Sequence, residues 1–237
     1  MSAAQQRRPA GAADPAVAGA AGDTRERLIG AASELLADGG PDAVTMRRVG
    51  ELAGVSRAAP YRHFDDKHDL LRAVALRSLG EVRAAVVSAL PTAQTPVEEV
   101  PAALRRAFSA YLQSGVDHPE HYRLMFGEHL SHVDGADVHE AAEELLQASV
   151  DSLGEGQRAG VVRSGDPRAM AILSLSALHG LVTLAGSGHL ARKGLQTEEG
   201  GELAALVADL VAGLVRREEP GGPPHLGACG GSPAKGA

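Results

Sequence analysis

Apolar residues recur at helical spacing through most of this chain, and the breaks between runs carry turn chemistry. Leu28, Ile29, Ala32, Leu35 and Leu36 fall on one face of a first helix. Asp23 or Thr24 is its expected cap, and Gly39-Gly40-Pro41 its stop. Met46, Val49, Leu52 and Ala53 then give a short helix, Gly54 and Val55 a break, and Ser56 the start of a second helix over 57–63. Thr45 and Ser56 both suit N-caps, because a hydroxyl accepts from the free N–H groups of a first turn. Packing of these three helices makes a small core that Phe64, Leu70 and Leu71 close. A fourth helix is predicted over 67–90, ending at Pro91.

Beyond a Pro/Thr linker at 91–96 the pattern remains helical. A helix over about 96–115 turns Val100, Leu104, Phe108, Tyr111 and Leu112 inward. The next starts at His118-Pro119, with Pro tolerated in the first turn, and carries Tyr122, Leu124, Met125, Phe126 and Leu130. After a loop at 132–137, another contains Leu145, Leu146, Val150 and Leu153. Asp166 as cap and Pro167 at the first helical position open a run that is apolar nearly all round from 170 to 184, and burial on most faces is expected of it. The last helix, over 202–217, has Arg216 and Arg217 at its negative end. The divisions are therefore 1–22, an N-terminal tail read as disordered; 23–66, a three-helix unit; 67–90, a linking helix; 91–218, a helical body; and 219–237, a Gly/Pro-rich tail read as disordered. The fold class is all-α.

Composition narrows the function. Of 237 residues 44% are hydrophobic and 22% charged, as in an ordinary soluble protein. No apolar run approaches the roughly 20 residues of a membrane span, and a cytoplasmic protein without membrane contact is expected. With no Trp and 3% aromatics, a stacking platform for single-stranded nucleic acid is not expected. The lone Cys229 precludes a disulfide framework or a cysteine-based zinc site within one chain. A net charge of −7 argues against nucleic acid until its distribution is considered. Between 45 and 63, Arg47, Arg48, Arg57 and Arg62 face Glu51 alone, while most of the acid excess lies beyond residue 84. A basic patch on an acidic body still attracts phosphate.

Two short helices around a tight turn, the second carrying Arg57, Tyr61, Arg62 and His63, have the form of a helix-turn-helix, whose second helix enters the DNA major groove. The segments TRERLIGAASELLADGG, VTMRRVGELAGVS and YRHFDDKHDLLRAV together resemble the DNA-binding domain of the TetR/AcrR family of transcriptional regulators. HPEHYRLMFGEHL and GVVRSGDP, with His179-Gly180, resemble the WHG-type C-terminal domain of part of that family, with Leu175 where the pattern has Trp. The resemblance implies a homodimeric DNA-binding regulator, expected to be a repressor released from an inverted-repeat operator by a small-molecule inducer. It also implies DNA contacts at Thr45, Arg47, Ser56, Arg57, Ala58, Ala59, Tyr61, Arg62, His63 and Lys67. Arg57 has the chemistry for two-pronged recognition of guanine, and Ala58 and Ala59 are small enough for close approach to the groove. The plainer alternative for Tyr61 and His63 is that they close the core.

The expected effector pocket is Phe108, Tyr111, Leu112, Tyr122, Met125, Phe126, His129 and His179, residues that core packing explains equally well. The expected dimer interface is a bundle of the last two helices through Leu175, Leu178, Leu203, Leu206, Val207, Leu210, Val211 and Leu214, unless these stripes bury one another within one subunit. His118, His121, His129, His132 and His139 lie close together, two pairs at i,i+3 spacing. They leave a metal-responsive regulator open as an alternative, beside a helical small-molecule-binding protein that no longer reads DNA. No metal or cofactor is expected, and no nucleophile–base motif points to an enzyme.

Overall fold

The computed structural model describes residues 15–126, 133, 135–192, 194 and 201–215. The expectations for Leu130, Arg216, Arg217 and the C-terminal tail lie outside the described residues, as do those for residues 1–14. Ten α-helices are described: α1 (Pro15–Ala43), α2 (Met46–Leu52), α3 (Pro60–His63), α4 (Lys67–Ala89), α5 (Val100–Asp117), α6 (Pro119–Phe126), α7 (Ala136–Arg158), α8 (Pro167–Gly186), α9 (His189–Arg192) and α10 (Gly201–Leu214). Among the described residues the only β pairing is an isolated bridge between Val162 and Val215. The fold is all-α, as expected.

The head forms for the reasons its sequence suggests, with three differences. α1 begins at Pro15, ahead of the expected cap at Asp23 or Thr24 and inside the stretch read as a disordered tail. Gly39 and Gly40 kink α1, with Gly40 at φ 65°, and the chain turns into α2 behind Thr45, whose hydroxyl accepts from the Arg48 N–H at 3.3 Å. The second difference is the start of α3. The Ala59 N–H donates to the Ser56 carbonyl at 2.9 Å, so 56–59 form a turn and the helix begins at Pro60, whose ring fixes φ at the first helical position. Ser56 is thus not the side-chain cap; its hydroxyl accepts from Arg62 Nη2 at 3.4 Å. Third, Ala59 is buried beneath this turn rather than presented outward. Gly54 at φ 65° makes the reversal between α2 and α3, a conformation that disfavours any side chain. Leu28, Leu36, Val49, Leu70 and Leu71 are fully buried and Phe64 nearly so, confirming the expected core. Each buried leucine contributes about 1.5–3 kcal/mol of apolar burial.

α4 belongs to both halves. Asp66 caps it by accepting from the Asp69 N–H at 2.9 Å, and it packs on α1 at one side and on α5, α6 and α7 at the other. α5 runs through the middle of the body against α4, α6, α8 and α10. Gly115 permits the α5–α8 approach: a Cβ there would lie 2.4 Å from Val182 Cγ1.

α8 departs from expectation. Met170, Ser174, Leu178 and Val182 face the body, but Ile172, Leu173 and Leu184 are 44%, 65% and 39% exposed. Its 20 residues, with a window of mean hydropathy 1.7, also make it long and apolar enough to cross a membrane by length and composition, which corrects the expectation that no run approaches that length. Leu178, Leu203, Val207, Val211 and Leu214, expected at a dimer interface, are covered by their own chain, and Leu175, Leu206 and Leu210 are half-buried. The surface that α8 and α10 leave open is instead Ile172, Leu173, Ala177 and Leu184, beside the exposed Ala204, Ala205 and Ala212.

Candidate functional site

The α2–turn–α3 surface brings most of the expected DNA-facing residues together. Thr45, Arg47, Arg48, Ser56, Arg57, Ala58, Tyr61 and Arg62 are exposed, and His63 and Lys67 are half-buried at the edge. Tyr61 is 64% exposed, so closing the core does not account for it. The half-burial of His63 is compatible with a share in the core. Ala59 is turned away from this surface. Arg48 Nη1 donates to the Ala43 carbonyl at 2.9 Å, pinning one cation beside the start of α2. Arg47 pairs loosely with Glu51 at 3.9 Å, an exposed contact of little stabilising value. Arg57 has no hydrogen bond or ion pair with any described residue, which leaves its five donors unengaged among them. The scaffold below is tied by Arg27, which donates to the Ala53 carbonyl, and by Arg25 stacked over the Phe64 ring at 5.3 Å.

In the body, the expected pocket residues separate into groups. Tyr111, Tyr122, Phe126 and His179 converge: Tyr111 Oη lies 3.0 Å from Tyr122 Oη, and Tyr122 Oη lies 2.7 Å from His179 Nδ1. Phe126 stands edge-on to His179, with ring centroids 6.0 Å apart. Burial raises both phenols above their ordinary range and lowers the His179 imidazole. Two clefts meet at His179. One, of about 310 Å³, is lined by Gly115, Tyr122, Arg123, Val182 and Thr183 among others. The second, of about 290 Å³, is lined by Tyr111, Phe126, Leu145, Leu175 and Ser176. Phe108 and Leu112 are core residues that line neither cleft, and Met125 faces a different cavity. His129 lies outside the described residues.

That third cavity, about 190 Å³, sits at the junction of head and body between Ser33, Ser78, Glu81, Ser114, His118, His121 and Met125. His121 Nε2 is 2.7 Å from Ser33 Oγ. This side-chain contact joins α1 to α6 across the head–body junction. His121 Nδ1 is buried without a partner among the described residues. Burial, then the neighbouring His118, lowers the His121 pKa against the opposing influence of Glu81 and Glu120. Sequence reasoning missed this contact, which spans 88 positions; only the i,i+3 pairing of His118 with His121 hinted at a cluster. Among the described residues no group of three His, Cys, Asp or Glu side chains is disposed to hold a metal, while His129 and His132 lie outside them.

A packed three-helix head bearing an exposed cationic turn-helix, on an all-α body with clefts, defines a helix-turn-helix DNA-binding transcriptional regulator. Residues 28–74 match the family model for bacterial regulatory proteins of the tetR family, and residues 104–211 match that for the tetracyclin repressor-like C-terminal domain. The chain belongs to the TetR family. It is 40% identical over 86 residues to the HTH-type transcriptional regulator BetI of Rhizobium meliloti, a match covering 36% of this chain and 42% of BetI. It is 28% identical over 153 residues to an uncharacterised HTH-type transcriptional regulator of Mycobacterium tuberculosis strain H37Rv, covering 65% of this chain and 77% of that protein. A solved protein of unknown function from Rhodococcus sp. RHA1 superposes with a TM-score of 0.68 at 29% identity, over 81% of this chain and 96% of the other.

Proposed function

We propose that the chain acts as a cytoplasmic homodimeric repressor, released from an inverted-repeat operator when a small molecule enters the body. The observation that carries the reading is the exposed turn-helix surface, where unengaged Arg57 stands beside Tyr61 over a fully packed core. In this reading Arg57 reads a base edge and Ala58 lies against the groove. Thr45, Arg47, Arg48, Ser56, Tyr61, Arg62, His63 and Lys67 hold phosphates and set register. Ala59 serves the fold.

Dimerisation is supported by the apolar stripe on α8. Leu173, Ala177, Gly180 and Leu184 recur at helical spacing, and a Cβ on Gly180 would meet nothing within 4 Å. Pairing of two such stripes about a two-fold axis, with the small residues of α10 alongside, covers the exposed leucines and sets two heads at a fixed spacing. The half-buried Leu175, Leu206 and Leu210 rim that contact, and the inward members of the expected interface hold the two helices in place. The clefts at His179 serve as the effector site. Occupancy there moves α6 and α8, and the Ser33–His121 contact and α4 carry the change to the head. The ligand must prefer one of the two arrangements for this to occur.

The test is operator binding by the full chain and by Arg57→Ala and Lys67→Ala. Arg57→Ala is expected to relax sequence preference, and Lys67→Ala to weaken cognate and random duplexes alike. Equal losses on both duplexes for both variants would refute the division of roles.

A further inference from the structure

The Tyr111–Tyr122–His179 chain has two ways to direct its protons. In the first, Tyr111 O–H donates to Tyr122 Oη, Tyr122 O–H donates to His179 Nδ1, and the imidazole proton sits on Nε2. In the second, His179 Nδ1–H donates to Tyr122 Oη, Tyr122 donates to Tyr111, and the Tyr111 hydroxyl proton is left over. Tyr111 is 4% exposed and has no second partner among the described residues, so the second direction leaves its hydroxyl proton without an acceptor among them. The first leaves no hydroxyl proton so placed. It places the remaining donor on Nε2, which bonds to no described residue yet is not sealed from the surrounding space. Burial also favours neutral forms for all three groups, so Tyr122 keeps the proton it donates and Nδ1 keeps its lone pair.

Among the described residues that line the clefts on either side of His179 there is no Asp or Glu. The one lining cation among the described residues, Arg123, is already paired with Glu120. The walls are otherwise mainly Val, Leu, Ala, Gly and aromatic side chains, with hydroxyls from Thr183, Ser187 and Ser176. An organic cation finds no counter-charge among the described lining residues, and a carboxylate finds one there only by competing with Glu120. An oxygen acceptor without charge meets a donor already aligned for it.

We infer that the effector is an uncharged, mainly apolar carbonyl compound, such as an ester, ketone or amide, whose oxygen accepts from His179 Nε2–H. The inference rests on the reading of the body as an effector site. It assigns a role to each member of the chain: Tyr111 and Tyr122 are positioning residues that fix the His179 tautomer, and His179 touches the ligand. A pocket of this kind uses apolar surface for affinity and one placed polar group for orientation.

Two measurements on the full chain test it. The first uses methyl octanoate, octanoate, octylamine and nonane as matched probes, with melting temperature and release of operator DNA as readouts. Methyl octanoate is expected to bind at least tenfold more tightly than octylamine or nonane. His179→Phe is expected to erase that preference while nonane binding persists. The second is nitrogen NMR of the His179 ring in the wild-type chain, which is expected to show the proton on Nε2, with the two tautomers mixing in Tyr122→Phe. Equal binding of the four probes, tighter binding of octylamine or octanoate than of the ester, or a proton on Nδ1 would overturn the carbonyl assignment and leave the effector site standing. Failure of every probe, nonane included, to bind the body would overturn the effector-site reading and the carbonyl assignment together.

Discussion

The head and the body handle polar groups in opposite ways. Among the described residues between 23 and 66 no polar or charged side chain is buried; the core is hydrocarbon and the chemistry is exposed on the turn-helix surface. In the body and along α4, Ser78, His121, Ser149, Ser152 and Ser174 are buried, together with the hydroxyl-bearing Tyr111 and Tyr122. A hydrocarbon core has one good packing and acts as a rigid mount, which suits a surface that must match a groove. A buried hydrogen-bond chain prefers the direction that leaves no donor unpaired, so a ligand that supplies a new polar partner can change which arrangement is preferred. The contrast sets a hydrocarbon core under the turn-helix surface and directional polar contacts around the clefts of the body. Among the described residues α4 and the packing of α1 on α6 join the two.

The largest break in this comparison is expected from Leu173→Glu on the exposed α8 stripe. Charge there should yield a folded monomer, seen by sedimentation, and lower operator affinity by roughly 10²-fold or more as the second head loses its effective concentration. An unchanged mass would remove α8 from the interface. Next is Arg57→Ala, expected to lose about 1–3 kcal/mol of discrimination for the cognate duplex with no change in melting temperature. Lys67→Ala should instead reduce the salt dependence of binding by about one phosphate contact.

Gly115→Ala probes the body. Its Cβ would lie 2.4 Å from Val182, and forcing α5 from α8 should cost about 1–3 kcal/mol of stability. Operator affinity of the remaining folded protein should change little, since the head has its own core. The smallest effect concerns pH. Folding lowers the His121 pKa from 6.5, so below about pH 6.5 the unfolded chain binds more protons and stability falls as pH drops. His121 is packed near His118, Glu81, Glu120 and Ser33. Substitution by Asn should flatten the stability profile between pH 7 and 5, as read by denaturant titration. An unaltered profile would show that His121 does not titrate differently on folding.

How much of this was legible in the sequence follows from which contacts are local. Thr45, Asp166 and Pro167 announce helix starts within three residues of themselves, and the structure bears them out. Phe64, Leu70 and Leu71 close the head core as their spacing implied. The sequence pattern predicts α3 three residues longer than it is, because Ser56 and Arg57 read as helix starters, whereas Pro60 sets the first position and the preceding residues form a turn. α9, four residues long, is too short to show a period. α8 was misjudged for a different reason. When nearly every residue is apolar, periodicity cannot say which face turns inward, so Leu178 was assigned outward and Leu173 was not singled out. The Tyr122–His179 and Ser33–His121 contacts join residues 57 and 88 positions apart, and no local pattern encodes them.

The most direct test of the central claim is selection of bound duplexes from a random pool by the purified full-length chain without added ligand. Two rigid heads held at one spacing by the α8 face should enrich a single inverted repeat with a fixed distance between half-sites. Enrichment of an isolated half-site, of repeats with variable spacing, or of no sequence would contradict it.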